Sequence, residues 1–231
     1  MILNKTFFPY KLKERRIRIT FLLLFLLASL VLHTSQVQAE ASSKEMKISS
    51  ENSWIRILAY PDGPLSHLGH HHVISHHNII GIVDVASDLL KSNIMLELAV
   101  ADFKIDDPVL RKLEGGDFDG EVPQKDIDGT RINMLGEDLL NVNRFPTIKV
   151  HSVSMSGDFP NINIMASVNI KGAEYTVEFP ANIELEKNSF VASGQTEITH
   201  SELGLLPFTA LGGLLSVRDV LIFKYEISGS Q

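Results

Sequence analysis

Residues 161–171, NINIMASVNIK, place Ile162, Ile164, Ala166, Val168 and Ile170 on one side of an extended chain and Asn161, Asn163, Ser167 and Asn169 on the other. An apolar residue at every second position suits a strand with one buried and one wetted face, as in antiparallel sheets. The pattern returns in EYTVEFPANIEL (174–185), where Tyr175, Val177, Phe179, Ala181, Ile183 and Leu185 share a face. It returns again in NIMLELAVADFKI (93–105), with Ile94, Leu96, Leu98 and Val100. Further strand candidates are 54–60, 71–86, 147–155, 189–200 and 220–227. Pro180 lies inside its strand and lacks the N–H a ladder needs, which favours an edge or a bulge there.

One stretch departs from this rhythm. In DDPVLRKLEGGDF (106–118) an aspartate precedes Pro108 and Gly115-Gly116 follows, the punctuation of a short helix. PQKDIDGTRINMLGEDLLNVNRFP (123–146) suggests a second helix with Ile132, Leu135, Leu139 and Leu140 on an apolar stripe. The expected fold class is mainly all-β, an antiparallel β-barrel of about eight strands over residues 53–228, because closure leaves no unpaired edge. The helical insertion falls around residues 107–140.

The N-terminal segment has the form of an address. Lys5, Lys11, Lys13, Arg15, Arg16 and Arg18 precede the apolar run ITFLLLFLLASLVL (19–32), and Val37 and Ala39 stand where a signal peptidase needs small residues. The run is shorter than the ~20 residues of a permanent span. Residues 1–39 are expected to be a signal peptide directing export to the periplasm, and residues 40–52 a flexible polar leader. Of 21 Lys+Arg and 28 Asp+Glu the segment takes six and one, leaving 15 and 27 and a formal net charge of −12. Such a polyanion repels nucleic acid. The absence of cysteine excludes disulfides, thiol nucleophiles and haem attachment through C-x-x-C-H, so the exported domain must be held by its core alone.

The inward faces allow two outcomes. Ile94, Leu96, Leu98, Ile164, Val168, Tyr175, Val177 and Phe179 are candidates to line a ligand cavity, but a filled core requires the same alternation. The histidines are equally open. LSHLGHHHVISHH (65–77) holds six of the nine in the chain. On a strand His70 and His72 lie about 7 Å apart on one face, a spacing that lets two imidazoles meet one ion. A closed site would need further ligands, with His151, His200 or Asp106 as candidates. The same cluster could instead sense acid, or form a polar strand without special duty. No Gly-x-Ser-x-Gly elbow or His-Glu-x-x-His helix occurs, and no catalytic residues are expected. LLPFTALGGLLSV (205–217) suggests a buried crossover turning at Gly212-Gly213, or an apolar lip beside the barrel mouth.

Several segments, in order, resemble the YceI-like family: GHHHVISHHNIIGIVDV (69–85), DDPVLRK (106–112), TRINMLGEDLLNVNRFPTIKVHS (130–152), VNIKGAEYTVEFP (168–180), GQTEITHSELGLLPF (194–208) and LGGLLSVRDVLIFKYEI (211–227). Gly69, His70, His72 and Val73 are similar to the Gly-His-x-His-Val element of one branch. The resemblance implies a lipocalin-like barrel binding a long isoprenoid-type lipid in the periplasm, with no known catalytic centre. It also implies an alternative, a metal- or haem-associated redox or stress protein using His70 and His72, since members of that branch can accompany b-type membrane cytochromes. The export reading has a direct check: intact-mass and N-terminal analysis of the exported protein should find a chain beginning at Glu40, and a membrane-bound chain retaining Met1 would overturn it.

Overall fold

Alternating residues build a closed wall in the computed structural model of the protein, which describes residues 43–231. The expected signal peptide, residues 1–39, lies outside the described residues. The strands are β1 (Lys44–Ile48), β2 (Trp54–Ala59), β3 (Pro61–Asp62), β4 (His72–His76), β5 (Ile79–Val85), β6 (Asn93–Ala99) and β7 (Lys104–Ile105). After the helical insertion come β8 (Thr147–Asp158), β9 (Asn161–Ile170), β10 (Ala173–Leu185), β11 (Ser189–Thr199), β12 (Thr209–Ala210), β13 (Leu215–Val217) and β14 (Val220–Ser230). The wall runs β1-β5-β6-β8-β9-β10-β11-β14, every neighbour antiparallel, and closes where Lys47 and Ile48 pair with Ser230 and Gly229. β2 continues the lane of β1 along β14, β4 continues that of β5, and β7 that of β6. The result is an eight-lane antiparallel barrel.

β1 corrects the expectation of a flexible leader over 40–52. Its central Met46 is 1% exposed and points into the core, while the backbone bridges β5 on one side and β14 on the other. Five residues carrying two lysines and one glutamate give little apolar signal, and closure of the sheet supplies what composition lacks.

The insertion holds two helices, α1 (Pro108–Glu114) and α2 (Gln124–Leu135). Asp107 caps α1 by accepting from the N–H groups of Val109 and Leu110, and Gly115, at φ 65°, ends it. α1 lies on the outside of the wall. Glu114 pairs with Arg56 on β2 and Lys224 on β14, and Phe118 packs with Leu58 and Val73 over the outer face. α2 departs from the stripe expected of it. It ends at Leu135, Leu139 and Leu140 belong to the turn beyond it, and Ile132 is 71% exposed. The helix brings Asp126, Gly129, Thr130, Asn133 and Met134 to the cavity, while Ile127 and Leu135 pack against the core.

Pro180 lies in the wall, where closure leaves no edge. The regular β10–β11 ladder spans Asn182–Leu185 and stops short of it, so no N–H is required. Its carbonyl instead accepts a 2.6 Å hydrogen bond from the Tyr225 hydroxyl of β14, which passes over β11 at Gly194. A Cβ on Gly194 would stand 2.1 Å from Pro180 O and 2.4 Å from the Tyr225 hydroxyl. Gly194→Ala should therefore lower unfolding stability in denaturant titration by about 1–3 kcal/mol, the usual penalty for overpacking. Tyr225→Phe, which removes only the hydrogen bond, should cost about 1 kcal/mol. Equal stability of Gly194→Ala and the parent would show that the close passage is absent.

Candidate functional site

The barrel is hollow. Its inner wall encloses a cavity of about 650 Å³, within the range of roughly 300–1,000 Å³ typical of small-molecule sites. Side-chain size explains the space. Ala166 on β9 and Ala192 on β11 line the cavity with methyl groups only. Around them stand Leu96, Val168, Phe179, Phe190, Phe223 and Tyr225. Burial pushes the Tyr225 phenol well above its ordinary pKa, so it stays a neutral donor to Pro180.

Ile94, Leu96, Leu98, Ile164, Val168 and Phe179 lie on the cavity wall. Tyr175 and Val177 do not, which corrects the set expected from alternation. They share the inward face of β10, but the turn at Ser201–Leu203 packs against that end, and Gly204 fits there because it has no Cβ to strike the Tyr175 hydroxyl. Phe190, Ala192, Phe223 and Tyr225 also line the wall. Their signal was present in the alternation of 189–200 and 220–227. Thr130 and Asn133 had none, because a polar helix face normally points to water.

The mouth is formed by residues 68–72, α2 and the segment 205–217, all contributing to the cavity wall. Its organising group is Asp106, fully buried at φ 54°. Oδ1 accepts from Val73 N at 2.9 Å and from Arg111 Nη1 at 2.7 Å; Oδ2 accepts from His72 Nδ1 at 2.6 Å. Arg111 also donates to His71 O and Gly120 O, at 2.5 and 3.1 Å, so every partner is satisfied within the fold. Burial alone would raise the Asp106 carboxyl. The hydrogen bond and charge of His72, the Val73 N–H and Arg111 outweigh it and hold the group below the usual carboxylate range. His72 meets Asp106 through Nδ1 and turns Nε2 towards Thr130 Oγ1 on α2, at 3.3 Å. Arg131 secures the same helix by donating to the carbonyls of Ala101 and Phe103.

His70 also faces the mouth, its ring 6.2 Å from that of His72 and its Nε2 3.3 Å from Asp126 on α2. As a metal centre the pair does not fit. Both nitrogens of His72 are engaged, His200 bonds the carbonyl of Asp219, and His151 sits on β8 with its side chain exposed. Among the described residues no three His, Asp or Glu side chains converge in a set able to hold an ion. His71 packs outside against Tyr60 and Phe118. His76 is buried against Phe103, donating Nε2–H to Ala99 O at 3.0 Å, and burial depresses its pKa more than that bond restores it. Burial, Lys104 and Arg56 depress His77 as well.

A family model for the YceI-like domain matches residues 71–227. The chain belongs to this family. Among solved structures it is similar to BcnA of Burkholderia cenocepacia, with TM-score 0.56 and 12% identity over 78% of this chain and 98% of that one. The Campylobacter jejuni YCEI protein aligns with TM-score 0.46 and 11% identity, covering 68% of this chain and 84% of that one. No curated protein matches the chain in sequence. The likeness to BcnA bears on the fold alone; family and barrel together are consistent with binding a hydrophobic ligand.

The two buried titrating groups lead to an acid profile with two limbs. His76 is held neutral, so its contribution is complete above pH 6.5 and is lost as pH falls from there through its depressed folded pKa. Asp106 contributes fully above pH 3.8 and loses its contribution as pH falls further. Stability measured against pH should show a reduced upper limb in His76→Gln, with His77, depressed in the same window, supplying the remainder. Asp106→Asn should lose the lower limb and destabilise at neutral pH by about 3–5 kcal/mol, since it leaves Arg111 buried without its anion. A neutral-pH loss below 1 kcal/mol in Asp106→Asn would contradict the assignment of Asp106 as the anchor of the mouth.

Proposed function

We propose that the protein is a periplasmic carrier that holds one single-chain, isoprenoid-type lipid with its tail in the barrel and its head at the mouth. It is a binding protein and not a catalyst. The hollow, apolar lumen supports this reading most directly: side chains that could have filled the barrel are alanine at 166 and 192. Transfer of a hydrocarbon tail into such a lumen gains roughly 25 cal/mol per Å² of apolar surface, before the cost of association.

The chemistry of the mouth favours an uncharged, hydroxyl-bearing head. His72 and Thr130, with Asn133 one turn further along α2, offer acceptors and donors in one place. Lys125 and Asp126 are adjacent and offset each other, and among the described residues no arginine lines the cavity. Bidentate guanidinium clamps, the usual answer to a diphosphate, are thus missing from the wall.

Organic extraction of the protein purified from its native host, followed by mass spectrometry, tests the proposal. A stoichiometric prenyl lipid is expected, and polyprenol should compete for the site better than its diphosphate. Ala192→Phe should fill the lumen, keep or raise stability, and reduce lipid occupancy at least tenfold. An extract free of lipid, together with no uptake of polyprenol by the delipidated protein, would refute the carrier reading.

A further inference from the structure

The segment 205–217 does not pack as a buried crossover. β12 and β13 form a small antiparallel sheet with β3, and this sheet stands beside the mouth. Leu206 is 79% exposed and Leu211 60%; Phe208 and Leu214 are also exposed, as is Leu68 on the neighbouring turn. The turn at Leu65–Leu68 is bonded to this segment through Leu65 N and Leu214 O, at 2.9 Å. These side chains therefore form one apolar rim. Leu68 and Phe208 belong both to the exposed rim and to the cavity wall, so the apolar surface runs without a break from solvent into the lumen.

We infer that this rim is a docking site for the surface of a lipid bilayer. Exposed leucines at this density need a cover in which they lose contact with water. The bilayer is favoured over a protein partner by that continuity: whatever seats on the rim also faces the open lumen, and a water-insoluble tail can pass between the two without crossing water. Charge supports the same occupant. From Leu203 to Val217 the chain carries no charged side chain, although the net charge of the domain is strongly negative, so shallow burial of this segment desolvates no ion of its own. The acidic surface also predicts that docking depends on apolar insertion and gains nothing from anionic headgroups. Among the described residues no helix is long and apolar enough to cross a membrane. Gly212 and Gly213, at φ 68° and 87°, turn the tip where an added Cβ would meet open space, and so place Leu211 and Leu214 at its crest.

The inference rests on the carrier reading for the cargo that is exchanged, but vesicle binding can be measured separately from cargo. Flotation with phosphatidylcholine vesicles should carry the full mature protein upward. Leu206→Asp combined with Leu211→Asp, both outside the cavity wall, should weaken partitioning by roughly tenfold per side chain, while thermal stability and uptake of detergent-dispersed polyprenol stay unchanged. Ala192→Phe should float as the parent does although its lumen is filled. Added phosphatidylglycerol should not strengthen binding. Failure of the parent to float, equal flotation of the double aspartate variant, loss of flotation in Ala192→Phe, or a gain with phosphatidylglycerol would each overturn the docking site. So would a parent that stays with the soluble fraction and forms a dimer abolished by the aspartates. Flotation through the rim in a protein that takes up no lipid would leave docking intact and remove the carrier reading.

Discussion

Closure of the sheet is the constraint from which the remaining features follow. An open sheet of this size would present two rows of unpaired N–H and C=O groups. Here the last residues of β14 meet β1, so the beginning and the end of the described domain complete one ring. Closure explains why five unremarkable residues at 44–48 become a strand. It also divides every strand into an inner and an outer series, which makes each inward residue either filler or wall. The summed volume of the inward side chains, small ones such as Ala166 and Ala192 among them, leaves them as wall.

A hollow barrel needs a defined opening, and the buried carboxylate of Asp106 provides it. Asp106 takes one hydrogen bond from the backbone of β4, one from Arg111 on α1 and one from His72, whose other nitrogen reaches α2. Strand, both helices and the polar side of the mouth are thus coupled through a single group. A charge so deeply buried is tolerated because its neighbours satisfy it; removing any one of them would expose the desolvation penalty of the others. The histidine cluster divides accordingly. His70 and His72 face the mouth, His71 and His76 are packing residues on opposite sides of the wall, and among the described residues no three His, Asp or Glu side chains converge on an ion position.

The mouth is asymmetric. On one side α2 turns Asp126, Thr130 and Asn133 towards the lumen; on the other the 205–217 segment presents leucine and phenylalanine. A polar side that can hold a head group and an apolar side that can meet hydrocarbon stand across one opening. Such an arrangement lets an amphiphile enter tail first while its head stays in contact with hydrogen-bonding groups.

The period-two pattern in 93–105, 161–171 and 174–185 determined by itself that the chain makes half-buried strands, and the Asp107–Pro108 and Gly115 signals determined α1, because these are local properties of backbone and solvation. Inward faces were therefore legible, and six of the eight expected wall residues face the cavity, while Tyr175 and Val177 are covered by a turn that lies 24 to 28 residues away in sequence. Only the tertiary structure decided whether the barrel would be filled, since hollowness depends on the summed volume of side chains from eight lanes and not on any one strand. Only it decided that α2 would bring Asp126, Thr130 and Asn133 to the cavity beside Met134, pack Ile127 and Leu135 against the core and expose Ile132. Residues 205–217 show the same limit. Their apolar character is written in the sequence, but burial is a relation to neighbours, and whether those leucines meet protein or water depends on what the completed fold leaves beside them.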